Sequence, residues 1–204
     1  MNDVISELPA RRASRQRTTK ETTIEATLAV DGSGSVDVST GLPFFDHMVE
    51  QLGRHASFDL MVHAQGDLQV DAHHTVEDVG ICIGQALDQA LGDRAGISRY
   101  GQATVPMDES RVSCAIDISG RGLCVFEASL PPGSIGNFDH ELSEEFFRAL
   151  ATNAKFTLHI TVQTGSNAHH VIEAMFKALA RALRAAVALD PTEPGVPSTK
   201  GMLV

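Results

Sequence analysis

The sequence predicts an α+β fold made of two similar half-domains. Each is expected to be a mixed four-stranded sheet with helices packed on one face. Three observations predict it. Segments with a two-residue apolar alternation are interleaved with segments of helical period. The order of segments in the first half returns in the second. One short motif recurs in both halves, 96 residues apart, as His73-His74-Thr75-Val76-Glu77 and His169-His170-Val171-Ile172-Glu173. A period near 100 residues is too long for a solenoid, so it points to two fused units packed around a shared core.

The elements follow in order. Ile24, Ala26, Leu28 and Val30 alternate with less apolar neighbours, as in a half-buried strand. Asp31-Gly32-Ser33-Gly34 reads as a turn, with Val36 and Val38 on the return strand of a hairpin. Pro43 to Arg54 reads as a helix with Phe44, Met48 and Leu52 four apart. Phe58 to Val62 and Asp67 to Val70 read as short strands, and Thr75 to Leu91 as the next helix. In the second half, Val112 to Ile118 and Leu123 to Leu130 read as strands. Leu142 to Asn153 reads as a helix, Phe156 to Gln163 as a strand, and His169 to Leu189 as a long helix buried along Ile172, Met175, Phe176, Leu179, Leu183 and Val187.

These readings divide the chain into a flexible arm over residues 1–15, half-domains over 16–96 and 97–190, and a tail over 191–204 rich in Pro, Gly, Ser and Thr. The arm carries Arg11, Arg12, Arg15 and Arg17 without a following apolar segment, so it does not read as a secretory signal. A net charge of −10 argues against a nucleic-acid or anionic-membrane surface. No apolar run approaches the roughly 20 residues of a membrane span. Cys82, Cys114 and Cys124 are an odd number with no C-x-x-C spacing, which suits reduced thiols and a cytoplasmic protein.

The repeated H-H-x-x-E carries the chemistry. At a helix start, each Glu lies three and four residues from the two histidines, on one face. Adjacent histidines diverge by about 100° around the helix, so one pair can feed two metal ions. A single copy could be a solvated helix N-terminus favoured by the dipole. Two copies at matched repeat positions argue for metal. Imidazole and carboxylate ligands without cysteine suit manganese, iron or zinc. His169, Glu173 and Lys177 lie one turn apart on a line, so Lys177 could hold an anionic substrate or simply pair with Glu173. Arg99, Arg121 between two glycines, and Ser198-Thr199-Lys200-Gly201 are candidate phosphate ligands. From the residues alone, a metal-dependent hydrolase and a non-catalytic metal-binding shell remain open beside other metal enzymes. The candidate phosphate ligands weigh against the shell.

Gly41-Leu42-Pro43-Phe44-Phe45-Asp46-His47-Met48, the two His-His-x-x-Glu segments with their flanks, and Pro197-Ser198-Thr199-Lys200-Gly201 resemble the signatures of imidazoleglycerol-phosphate dehydratases. The likeness runs from about Arg17 to the C-terminus. It implies a lyase of histidine biosynthesis that converts D-erythro-imidazole glycerol phosphate to imidazole acetol phosphate and water. It implies two Mn2+ ions per active site and a homo-oligomeric shell of about two dozen subunits with sites between them. By motif, His47, His74, Glu77 and His170 would hold one ion, and His73, His169, Glu173 and Glu145 the other. Glu145 stands where some members carry His. The resemblance also places Glu21 against the substrate as an acid or base, with Glu173 and His73 in catalysis, and Glu21 is the expected proton shuttle. Arg99, Arg121, Ser198 and Lys200 would bind phosphate, and Lys177 a substrate oxygen. The chemical logic is that two cations on the imidazole nitrogens favour imidazolate, whose electrons expel the neighbouring hydroxyl. His55, His63, His140 and His159 match no ligand position.

Overall fold

The computed structural model describes residues 11–203. Its elements, in chain order, are β1 (Arg12–Thr18), β2 (Thr22–Ala29), β3 (Val36–Ser39), α1 (Pro43–Ala56), β4 (Asp59–Gly66), α2 (His73–Leu91), β5 (Tyr100–Met107), β6 (Ser110–Asp117), β7 (Leu123–Glu127), β8 (Ser134–Ile135), β9 (Phe138–Asp139), α3 (Leu142–Ala154), β10 (Thr157–Thr164) and α4 (Ala168–Ala186). Two four-stranded sheets run β1-β2-β4-β3 and β5-β6-β10-β7. In each, the last strand is parallel to its neighbour and the others are antiparallel. The duplication and the mixed α+β class are therefore both present.

Three local readings change. The arm expected over residues 1–15 gives way to strand from Arg12, because the backbone of β1 pairs along β2 from Arg12↔Ala29 to Thr18↔Thr23; residues 1–10 lie outside the described part. The expected hairpin does not form. Val36–Ser39 pairs parallel with β4, and β4 takes the central position beside β2 over eight residue pairs. Its buried Leu60 and Val62 explain the preference, since a central strand buries more than a four-residue edge. Asp67 to Val70 is a turn, closed by Val70 N–H donating to the Asp67 carbonyl.

The helices lie between the two sheets. α2 covers β1, β2 and β4, and α4 covers β5 and β6. The helix pairs cross the boundary between the halves: α1 packs on α4, and α2 on α3. One continuous apolar core results, with Phe45, Phe138, Phe146, Phe147 and Phe176 in mutual ring contact at its centre. Backbone approach is close at several glycines, three of them between helix and strand or helix and helix of the core. A Cβ on Gly101 of β5 would fall 2.0 Å from the Ala182 carbonyl of α4, so only glycine lets this strand lie on the helix. Gly80 and Gly84 of α2 similarly meet the backbone of α3. The halves differ between β7 and α3, where the two-stranded β8-β9 ribbon is inserted.

Candidate active site

The helix starts present the candidate ligands. Pro43 opens α1, a position where its missing N–H costs nothing. The Asp46 carboxylate accepts from the Thr40 backbone N–H (2.7 Å) and hydroxyl (2.5 Å), fixing the turn before His47. At α4 the Asn167 side chain caps the helix by accepting from His169 N–H at 2.9 Å and His170 N–H at 3.5 Å.

Because α1 packs on α4, His47 meets the second motif. Its Nε2 lies 3.8 Å from Glu173 Oε2, and His169 Nε2 lies 3.2 Å from the same oxygen. Glu173 is 5% exposed, and its other oxygen accepts from Lys177 Nζ at 2.7 Å. Burial pushes this carboxyl up in pKa. The hydrogen bond and charge of Lys177, helped by His47 and His169, outweigh it and keep the group ionised. Lys177 is thus bonded to a buried carboxylate rather than to a solvated surface partner.

The first motif sits elsewhere. His74 Nδ1 bonds Asp67 at 3.1 Å, with Glu21 Oε2 at 3.9 Å. The Asp67 hydrogen bond, with the Glu21 charge, raises the His74 pKa. The Glu21 backbone is held by the Thr19 hydroxyl, which accepts from the N–H of Glu21 and of Thr22 at 3.0 Å each. Buried Asp78 braces the same turn from α2, accepting from Arg17 Nε at 2.7 Å and the Thr22 hydroxyl at 2.5 Å. His170 Nδ1 bonds Glu109 at 2.8 Å, which raises the imidazole pKa and holds the carboxyl far below its ordinary range. His73, Glu77 and Glu145 are half-buried on the α2 and α3 side.

Within one chain, then, His47 lies with His169 and Glu173, across the two sets expected from motif order. The reason is the α1–α4 packing, which no local pattern encodes. Among the described residues, no three His, Cys, Asp or Glu groups are arranged to hold a metal alone. The donor chemistry still fits a divalent cation. Each helix start offers imidazole nitrogens beside a carboxylate, and the inner carboxylate is kept ionised.

The candidate phosphate ligands lie at the far end. Arg99 N–H donates to the Ala186 carbonyl at the end of α4, 17 residues beyond His169. At about 1.5 Å per residue that is about 25 Å. Arg99 bonds the Asp117 carboxylate through Nε at 2.7 Å, and its Nη1 donates to the Pro197 carbonyl at 2.8 Å, which brings the tail with Ser198 and Lys200 to this corner. The exposed Arg121 follows in the β6–β7 turn, where its backbone N–H donates to the Ser119 hydroxyl at 3.2 Å.

The other histidines have local partners or exposure. His140 is buried with Nδ1 2.8 Å from the Pro131 carbonyl, beside a cavity of about 430 Å³ under residues 128–134 that holds none of the candidate site residues. His63 faces Asp37, His55 faces Gln51, and His159 is exposed. Asp67, Asp78 and Glu109 escaped the sequence reading. Glu109 had a signal: it precedes β6 as Glu21 precedes β2, two strands 88 residues apart.

Residues 40–183 match the family model described as imidazoleglycerol-phosphate dehydratase. The chain is 56% identical over 194 residues to the imidazoleglycerol-phosphate dehydratase of Moorella thermoacetica, spanning 95% of this chain and 99% of that one. It is 59% identical over 187 residues to that of Symbiobacterium thermophilum, with 92% and 90% covered. Among solved structures, the imidazoleglycerol-phosphate dehydratase of Staphylococcus aureus superposes with a TM-score of 0.80 at 40% identity, over 88% of this chain and 99% of that one. The Pyrococcus furiosus enzyme gives 0.80 at 34% identity, over 93% and 100%. The chain belongs to the imidazoleglycerol-phosphate dehydratase family.

Proposed function

We propose that this chain is a hydro-lyase of histidine biosynthesis that converts D-erythro-imidazole glycerol phosphate to imidazole acetol phosphate and water, with two Mn2+ ions per site. Family membership over residues 40–183 is the observation that carries the reading. The paired His-His-x-x-Glu helix starts support it. Bound manganese would supply the positive charge that favours loss of a proton from the imidazole ring.

The chain's own residues would do the rest. His47, His169 and Glu173 would form one part of the metal site, and His73, His74, Glu77, Glu145 and His170 the remainder. Lys177, bonded to Glu173, would orient a substrate oxygen. Glu21, held by Thr19 and braced through Thr22 and Asp78, would take the proton from the glycerol carbon and return it at the product carbon. Arg99, Arg121, Ser198 and Lys200 would hold the phosphate and fix orientation.

The separation of about 25 Å along α4 supports an active site completed by a second copy, because one small substrate cannot span both ends of the helix. This favours a homo-oligomer, with a shell of 24 subunits as the proposed assembly. Among the described residues, no helix is long and apolar enough to cross a membrane. Three buried free thiols suit the reducing cytoplasm, where we place the protein.

The test is turnover of imidazole glycerol phosphate by metal-stripped protein, with and without added Mn2+, following the ketone product. Metal-restored turnover is expected. Bound metal and bound substrate without product would overturn the assignment.

A further inference from the structure

This inference rests on the reading that His74 and His170 are metal ligands. Their Nδ1 atoms lie 3.1 Å from Asp67 Oδ2 and 2.8 Å from Glu109 Oε2. An ionised carboxylate only accepts, so each Nδ1 must carry a proton. In the neutral ring the lone pair is then on Nε2. The His170 Nε2 lies 3.6 Å from the exposed Asp108 carboxylate, too far for a hydrogen bond, and stays available. We propose that Asp67 and Glu109 are positioning residues that set the tautomer and orientation of His74 and His170, so that each offers Nε2 to a divalent cation.

Two features set these pairs apart from incidental surface contacts. Glu109 is itself anchored. Its Oε1 accepts from the backbone N–H of Ser166 at 3.2 Å and of Asn167 at 2.9 Å, and Asn167 caps the helix that presents His170. The carboxylate is therefore tied to the backbone that carries its histidine. Moreover, the two halves make the same bond from non-equivalent positions. β4 and β10 correspond at a spacing of 98 residues, so the counterpart of Asp67 is Gly165, which has no side chain to offer. The counterpart of Glu109 is Glu21, at 3.9 Å from His74 and left available as the proposed proton shuttle. In the first half, Asp67 takes over the orienting bond that Glu109 makes in the second.

The test is Mn2+ titration of metal-stripped full-length protein, reading free aqueous Mn2+ by electron paramagnetic resonance. The proteins are wild type, Asp67→Asn, Glu109→Gln, His74→Ala and His170→Ala. Asp67→Asn is the cleaner variant, because the side-chain hydrogen bonds of Asp67 go to His74 alone among the described residues. Thermal melts of the metal-free proteins check folding. The amides keep the size of the carboxylates, so a packing role predicts unchanged affinity. The expected result is Mn2+ binding weakened about 10- to 100-fold in both amide variants, with metal-free melting close to wild type for Asp67→Asn. If both alanine variants lose Mn2+ while both amide variants bind within twofold of wild type, the positioning role is overturned and the metal reading stands. If wild type binds no Mn2+, or the alanine variants bind as it does, the ligand reading fails and this inference fails with it.

Discussion

Replacing Gly84 by alanine tests how the two halves are held together. In an isolated helix the change stabilises by about 0.5–1 kcal/mol, because glycine loses more backbone entropy on folding. Here the new Cβ would sit 2.7 Å from the Leu150 carbonyl oxygen, 2.9 Å from Asn153 Cβ and 3.0 Å from Ala154 N. Ordinary contact begins at 3.4 Å, and two of these three atoms belong to the α3 backbone. The strain cannot be relieved by rotating a side chain, so the helices must separate. Overpacking of this kind costs about 1–3 kcal/mol. The net expectation is a loss of about 1–2 kcal/mol, or about 3–6 °C in Tm for a chain of this size. Denaturant and thermal melts measure it, at one fixed protein concentration so that any association contributes equally to every variant. Gly195→Ala is the control: its Cβ would meet nothing within 4 Å, and it should stay within about 0.5 kcal/mol of wild type. A Gly84→Ala protein as stable as wild type, or more so, would refute the close-packing argument.

Three further outcomes are expected. Glu21→Gln should lower kcat by about 10²- to 10⁴-fold while leaving Mn2+ uptake intact; full turnover would remove Glu21 as the proton shuttle. The thiols of Cys82 and Cys124 are pushed up to about 11 by burial, and Cys114 higher still. Ellman's reagent at pH 8 should therefore find none of the three in native protein and all three after unfolding, and stoichiometric native labelling would contradict their burial. The Arg11 hydrogen bond lowers the pKa of Asp31 below its ordinary 3.8, so the pair's stabilisation is present above that value and lost as pH falls through the folded pKa. Asp31 is 58% exposed, so Asp31→Asn should cost at most about 1 kcal/mol at neutral pH. The gap from wild type should close in acid, and a gap independent of pH would exclude this pair as its source.

All four helices were legible because each buries one long apolar stripe, and α4 continues it for five turns. β1 and β5 were not. β1 reads RASRQRT and buries only Ala13, so its polar pattern resembles a solvated arm although the backbone pairs throughout. β5 has no fully buried residue: Gly101, Ala103, Val105 and Met107 are only half-buried, and its glycine and proline blur the strand pattern. The repeat relates these two strands only to each other, since β1 and β5 precede β2 and β6 by the same spacing, so with neither legible alone it could reveal neither. The pairing of His47 with Glu173 lay beyond any local signal, because it depends on which helices pack across the two halves.

The same packing gives the two copies of the motif unequal surroundings. At the 96-residue spacing, Lys177 and Arg181 of α4 correspond to Ile81 and Gln85 of α2. The carboxylate of Glu173 therefore has a cation one turn away, and that of Glu77 has an aliphatic side chain. The partner helices differ in the same sense. α2 closes on α3 through Gly80 and Gly84 until backbone meets backbone, whereas α1 faces α4 with His47, Gln51 and His55. Burial and the charges of Lys177 and Arg181 lower the His55 pKa, so the α1–α4 face carries several basic groups close together. Divergence at positions 81 and 177, and the close approach of α2 to α3 at Gly80 and Gly84, thus give the two copies of one motif different electrostatic and steric surroundings.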